Sequence, residues 1–205
     1  GAEFHSHTGA VAHDDIIGCE NGAAVKSNRG SAFDTFRPTL AEFVLKMPRG
    51  AQVIYPKDLG PILMLADVHP GVRVFESGVG SGALSMALLR AGAQVTGYEI
   101  REDFAARARV NVATMLGEDA LGDYQVQIRD AYGGIDETNL DRVILDLPEP
   151  WQVVPHAARA LYSGGIILAY TPSVLQAARF REALDEHGFG FAETLEVLHR
   201  TWHID

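Results

Sequence analysis

Apolar positions along this chain follow two rhythms that alternate. Short runs rich in β-branched residues, bounded by glycine or proline, read as buried strands. They fall at Val72, Val74 and Phe75, then at 94–98, 124–129, 141–145 and 166–170, with a sixth beginning at 195–198. Between them the apolar positions take helical spacing. The spacing predicts helices over 83–90 and over 102–116, the latter with Phe104, Ala108, Val112 and Met115 on one side. A further helix around 155–162 stops at Gly164-Gly165, and another runs from Thr171-Pro172 to His187-Gly188. Strand–helix alternation of this kind implies an α/β fold, a parallel sheet with helices on both faces.

The chain ahead of the first of these strands is less regular. Arg37-Pro38 opens a helix whose buried face is Leu40, Phe43, Val44 and Met47, and Pro48 stops it. Val53-Ile54 reads as a short strand, followed by a helix with its body at 62–68. Asp58 is placed to cap that helix or, with equal weight, to meet a ligand. Residues 1–33 carry Gly9, Gly18, Asn21-Gly22, Asn28 and Gly30 between short apolar pieces, which predicts a few short strands in a small β appendage. The expected division is therefore 1–33 as part of a small N-terminal β domain and 34–205 as the main domain.

The stretch 72–84 carries the chemistry. Gly78, Gly80 and Gly82 make a turn between strand and helix, where backbone approaches a ligand at a helix N-terminus. Gly-x-Gly-x-Gly differs from the Gly-x-Gly-x-x-Gly of dinucleotide enzymes, and an acid, Glu76, stands two residues before it. A pyrophosphate disfavours a carboxylate there, whereas a ligand with an amino group or a sulfonium charge tolerates one. Glu99 closes the next strand, seventeen residues beyond Gly82, where a carboxylate can accept both ribose hydroxyls of a nucleoside. With Asp130 and Asp146 ending the next two strands, four acids fall at carboxyl ends, where ligands of such sheets sit. The glycine turn with its two acids resembles motif I of class I S-adenosylmethionine methyltransferases.

Composition narrows the setting. Nearly half of the 205 residues are hydrophobic (47%), enough for a real core, and no apolar run approaches the roughly 20 residues that span a bilayer. One cysteine, Cys19, allows no intrachain disulfide and fits a reducing cytoplasm. A net charge of −10 opposes a dedicated nucleic-acid binder, yet fourteen of the seventeen basic residues are Arg, suited to bidentate recognition of phosphates. His5, His7, His13, Asp14 and Asp15 form only a loose metal-ligand pattern, so no metal is assigned. The opening Gly-Ala-Glu-Phe and the apolar final stretch suggest a piece of a longer polypeptide.

Four segments in order make the resemblance specific: Tyr55-Pro56-Lys57-Asp58, Glu76 to Leu84, Tyr98 to Phe104, and Asp146-Leu147-Pro148-Glu149-Pro150-Trp151. Together they resemble the bacterial and archaeal tRNA (adenine-N1)-methyltransferases, which modify the T-loop adenine. The last segment is the most specific, because many methyltransferases share the glycine turn. The resemblance covers nearly the whole chain and implies a Rossmann-like class I methyltransferase sheet preceded by part of a small β domain, with Glu3 to Gly9 matching that domain's end. It implies S-adenosylmethionine as cofactor, tRNA as partner and a homotetramer. Ser81, Ala83 and Leu84 would meet the methionine part, Glu99 the ribose and Phe104 the adenosine. Asp130 would face the adenine amino group with Ala131 beside it, and Asp146 would lie between cofactor and target base. Two departures stand out. The family continues past Trp202-His203 into a last antiparallel strand, and its connection corresponding to 90–94 is longer.

Adenine N1 carries an in-plane lone pair, needs no strong base, and gains positive charge as it takes the methyl. A carboxylate accepting from the exocyclic amino group would stabilise that charge and orient the ring, and Asp146 is the residue expected to do so. Tyr55 is the second candidate to touch the base, while Trp151 is expected to pack. Other readings are a methyltransferase acting on protein isoaspartate or a small molecule, a dinucleotide-dependent oxidoreductase, and a non-catalytic tRNA-binding subunit of the same fold. The Lys and Arg residues of 26–57 (Lys26, Arg29, Arg37, Lys46, Arg49 and Lys57) are expected to offer tRNA a local basic surface.

Overall fold

A computed structural model describes residues 1–50 and 52–204, which form two compact units, 1–39 and 40–205. In the first, β1 (Glu3–Ser6) and β2 (Gly9–Ala12) pair antiparallel, and so do β3 (Ala23–Lys26) and β4 (Ala32–Thr35). Ser27 and Asn28, at the turn after β3, tie the hairpins together. The Ser27 hydroxyl donates to Thr8 O (3.0 Å), and Asn28 Oδ1 accepts from Ala10 N (3.1 Å). Phe4 and Phe33 meet edge to face at 5.9 Å. Short strands were expected here, but His13–Ile16 coils instead into one helical turn, α1. The expected boundary after residue 33 falls within β4, and the compact units divide at Thr39/Leu40.

The second unit opens with α2 (Leu40–Lys46) and α3 (Pro56–Leu65). No strand forms at Val53-Ile54. Both side chains are buried in the core, but no neighbouring strand pairs with their backbone. Alternation then sets in as expected: β5 (Arg73–Ser77), α4 (Ala83–Arg90), β6 (Gln94–Glu99), α5 (Glu102–Leu116), β7 (Tyr124–Ile128), β8 (Leu140–Leu145), α6 (Val154–Ala160), β9 (Leu161–Ala169) and α7 (Val174–Glu186). The expected helix end near 162 was too late. The chain turns to strand at Leu161, and an irregularity in the β8–β9 register absorbs the Gly164-Gly165 pair.

All five strands of the sheet are parallel, in the order β7-β6-β5-β8-β9. The order reverses direction at β5, and the crevice at the carboxyl ends of β5 and β8 is where such sheets take ligands. Side chains alternate across β5. Val74 enters the core shared with α2 to α5, and Phe75 enters the core shared with α6 and α7, where it meets Tyr98 edge to face at 4.7 Å. Both faces are covered, which is why these strands read as continuous apolar runs. The expected strand at 195–198 is coil with Leu195 and Leu198 exposed. This short segment meets no partner strand among the described residues, and a strand without one is not stable.

Candidate functional site

The glycine turn is fixed by what crosses it. Gly78 lies at φ +88°, and a Cβ there would stand 2.0 Å from the Asp146 carbonyl oxygen, so only glycine lets the ends of β5 and β8 come this close. Asp146 N–H donates to Ser77 O at 2.9 Å and holds the two ends together. Gly82, at φ +84°, caps α4, and a Cβ there would stand 3.2 Å from Ala108 of α5. Ala83 and Leu84 bury their side chains in the core, so what they offer a ligand is the backbone N–H of a first helical turn, which has no acceptor within the helix.

The acids divide into different uses. Glu99 Oε2 accepts from Gly80 N–H (2.9 Å) and Oε1 from Arg101 N–H (3.0 Å), so this nearly buried carboxylate braces the turn while retaining lone pairs for ribose hydroxyls. Glu76 does not join the rim of four acids expected from strand-end positions. Alternation from Val74 turns it to the α4 side, fully buried, where it accepts from the Ser85 hydroxyl (2.7 Å), which accepts in turn from Tyr124 (2.9 Å). Burial pushes its pKa up to about 8, so it is largely protonated at neutral pH and no counter-charge for a cation. Asp130, by contrast, is exposed; its Oδ1 accepts from Tyr132 N–H (2.9 Å), and buried Ala131 lies between them.

Phe104 is half-buried at the start of α5, with the Arg101 guanidinium 3.8 Å from its ring centre. A Cβ on Gly50 would come within 2.9 Å of the ring, so the loop after α2 passes directly against it. Asn111 supports this side from within α5. Its amide donates both to Ser81 O (2.9 Å) and to Pro48 O (3.0 Å).

Asp146 leaves β8 next to a second group of polar residues. Asp58 is not the cap of α3, which has no side-chain cap. It lies in the first turn, buried, and accepts from Lys57 Nζ (2.8 Å) and from the Tyr170 hydroxyl (3.2 Å). Lys57 therefore spends its charge on Asp58 and on Val197 O (3.0 Å), not on the basic surface expected of it. Tyr170 titrates above the usual range, first through burial, then through Asp58, Asp146 and Tyr55, so these four side chains share one electrostatic neighbourhood. Tyr55 is 43% exposed. Asp146 has no side-chain hydrogen bond among the described residues, and burial alone lifts its pKa to about 6. Trp151 is partly buried under the Arg179 guanidinium, 5.3 Å away.

The structure thus gathers Gly78, Gly80, Ser81, Gly82 and Glu99 at one end of β5 and β6, and places Asp146 and Tyr55 each within electrostatic reach of Tyr170. Ser85, Tyr124, Asn111, Tyr132 and Tyr170 were missed. Asn111 had a signal, since a polar residue on the buried stripe of Ala108 and Val112 needs a partner. Tyr170 had one too, as the residue just past the end of β9. Glu76 Oε1 and Ser81 Oγ are the buried side-chain polar atoms without a partner among the described residues, and both belong to the glycine-turn segment. The unmet Ser81 hydroxyl fits a polar cofactor bound at this turn, and the residues expected to hold S-adenosylmethionine suit it. No group of three or more His, Cys, Asp or Glu among the described residues could hold a metal ion.

Residues 35–205 match the family described as tRNA methyltransferase complex GCD14 subunit, and residues 1–25 match the one described as TrmI-like N-terminal. The tRNA (adenine(58)-N(1))-methyltransferase TrmI of Thermus thermophilus is 35% identical over all of this chain and 80% of its own length. Two solved structures are similar throughout. A SAM-dependent O-methyltransferase from Thermotoga maritima superposes with TM-score 0.82 at 31% identity, over 90% of this chain and 69% of that one. The tRNA (m1A58) methyltransferase TrmI from Aquifex aeolicus superposes with TM-score 0.81 at 26% identity, over 98% and 79%.

Proposed function

The chain belongs to the tRNA methyltransferase family described as the GCD14 subunit, and from that premise we propose that it transfers the methyl of S-adenosylmethionine to N1 of the T-loop adenine, position 58, of tRNA. The observation that carries this reading is the pairing of a braced glycine turn with an Asp146 carboxylate, at the adjoining strand end, that has no side-chain hydrogen bond among the described residues. Bound at the turn, the cofactor supplies an electrophilic methyl on a sulfonium. Glu99 holds the ribose, Asp130 the adenine amino group, and Ser81 and the first N–H groups of α4 the methionine part. Phe104 packs against the adenosine, while Glu76 acts from behind the turn through Ser85. Asp146 accepts from the exocyclic amino group of the target base and gains strength as positive charge develops on the ring. Tyr55, exposed and like Asp146 within reach of Tyr170, stacks on that base, which is extruded from the folded tRNA to reach the site.

The Thermotoga similarity raises a hydroxyl acceptor as the second reading. Transfer to oxygen needs a base to take the hydroxyl proton, and Asp146, raised to about 6 by burial, is poised for that task as well, so the methylated product decides between the two readings. Transfer to N1 needs none. The intact turn and Glu99 also speak against a non-catalytic tRNA-binding subunit.

An acidic chain holds a polyanion only through local basic surface, and we take the basic residues of each unit as such surface, Lys26, Arg29 and Arg37 in the first and Lys46 and Arg49 in the second, in a cytoplasmic homotetramer whose tRNA crosses subunits. The units 1–39 and 40–205 serve as a small β domain and the methyltransferase domain. Replacing Arg37 and Arg49 with Ala should weaken tRNA binding, steepest at low salt, with cofactor affinity nearly unchanged. For the reaction itself, tRNA incubated with protein and cofactor is digested and its nucleosides weighed. The product expected is 1-methyladenosine from the T-loop; a 2′-O-methyl nucleoside, or no product, overturns the reading.

A further inference from the structure

We propose that Tyr132 is a positioning residue that couples the cofactor's adenine pocket to the loop carrying Asp146. The inference rests on the reading above, in which Asp130 meets the cofactor and Asp146 the target base. Tyr132 sits in a short turn of 3-10 helix, Ala131–Gly133, just past the end of β7, and three hydrogen bonds hold it in three directions. Its N–H donates to Asp130 Oδ1 at 2.9 Å. Its carbonyl lies 3.1 Å from His156 Nε2. Arg159 donates to the other ring nitrogen (2.7 Å), so Nε2 carries the hydrogen and donates to that carbonyl. Its phenolic oxygen accepts from Glu149 N–H at 3.1 Å.

Glu149 stands between Pro148 and Pro150 in the segment that begins with Asp146. Proline fixes φ on either side of it, so the segment has few ways to absorb a displacement locally. Pro148 O is held from the other side by Gln176 Nε2 (2.8 Å), and Pro150 is buried. A ligand that draws on the exposed Asp130 carboxylate therefore pulls on Tyr132, and Tyr132 on the Glu149 amide. Through this stiff segment the pull sets where Asp146 stands. The cofactor's adenine end and the target base then communicate through one residue that touches neither.

Tyr132→Phe removes only the acceptor for Glu149 N–H. Hydrogen exchange of the 147–152 amides is measured with and without S-adenosylhomocysteine, the demethylated product. In the wild type, the ligand should slow exchange at Glu149. In Tyr132→Phe, free-state exchange there should rise about fivefold, the scale of one lost hydrogen bond, and the ligand should no longer slow it, with its affinity nearly unchanged. Turnover should fall without a rise in the cofactor KM. Gln176→Ala loosens the same loop without touching Asp130, so it should speed exchange yet keep the response to ligand. Protection by ligand that persists in Tyr132→Phe overturns the coupling, as does its loss in Gln176→Ala. Failure of S-adenosylhomocysteine to bind wild-type protein overturns the reading of the pocket and the coupling with it.

Discussion

On the β6–β7 side of the central strand, Glu99 takes the N–H groups of Gly80 and Arg101, and Asp130 takes that of Tyr132. On the β8–β9 side, Asp58 is held by the side chains of Lys57 and Tyr170, and Asp146 has no side-chain hydrogen bond among the described residues. Acids braced by backbone are already oriented before a ligand arrives, so the carboxylates themselves need little ordering on binding. An acid that is desolvated and unbraced is costly in the free protein and gains most when a donor arrives. The first arrangement suits a cofactor that is the same in every cycle. The second suits a group whose partner appears only with substrate and whose interaction strengthens in the transition state.

Asp146→Ala attacks the contrast most directly. It should lower turnover by about 10²–10³-fold, the scale of one well-placed electrostatic group, while cofactor affinity shifts far less. Turnover near wild type in that variant breaks the contrast. Glu99→Ala should act on the other half. Losing a charged acceptor and the brace on Gly80 should weaken S-adenosylhomocysteine binding by roughly ten- to a hundredfold in calorimetry, and unchanged affinity would remove the cofactor role.

The smallest effect concerns Glu76, which belongs to neither group. Its folded pKa of about 8 lies above the ordinary 4.5. A carboxyl whose pKa is raised by folding contributes stability in full below 4.5, and that stability is lost as pH rises towards 8. The wild-type Tm should therefore fall between pH 6 and pH 9 more steeply than that of Glu76→Gln, which has no proton to lose. Parallel slopes would place Glu76 in a better-solvated site than the structure gives it.

The glycine turn was readable because its demands are local. Positive φ at Gly78, Gly80 and Gly82 is written in neighbouring residues, the acid Glu99 stands at the end of the next strand, and α4 begins and ends where capping glycine and Ala91-Gly92 imply. Val53-Ile54 was misread for the opposite reason. A β-branched pair between Gly50 and Pro56 looks like strand from within, but strands exist by pairing, and pairing is decided elsewhere in the chain. The run at 195–198 failed in the same way. Glu76 was placed on the rim by its position at a strand end, although counting two from Val74 already puts it on the same covered face as Val74. Tyr132 left no trace in the local pattern, because the hydrogen bond that matters spans from the end of β7 to the loop after β8.

The measurement that bears most directly on the contrast is the single-turnover rate of methyl transfer to saturating tRNA as a function of pH, in wild type and in Asp146→Asn. An ionised Asp146 should make the wild-type rate rise through a midpoint near pH 6 to a plateau, matching the pKa of about 6 that burial imposes. Asp146→Asn should be slow and flat across the same range. A variant that keeps the wild-type midpoint would assign the titration to another group and contradict the role given to Asp146.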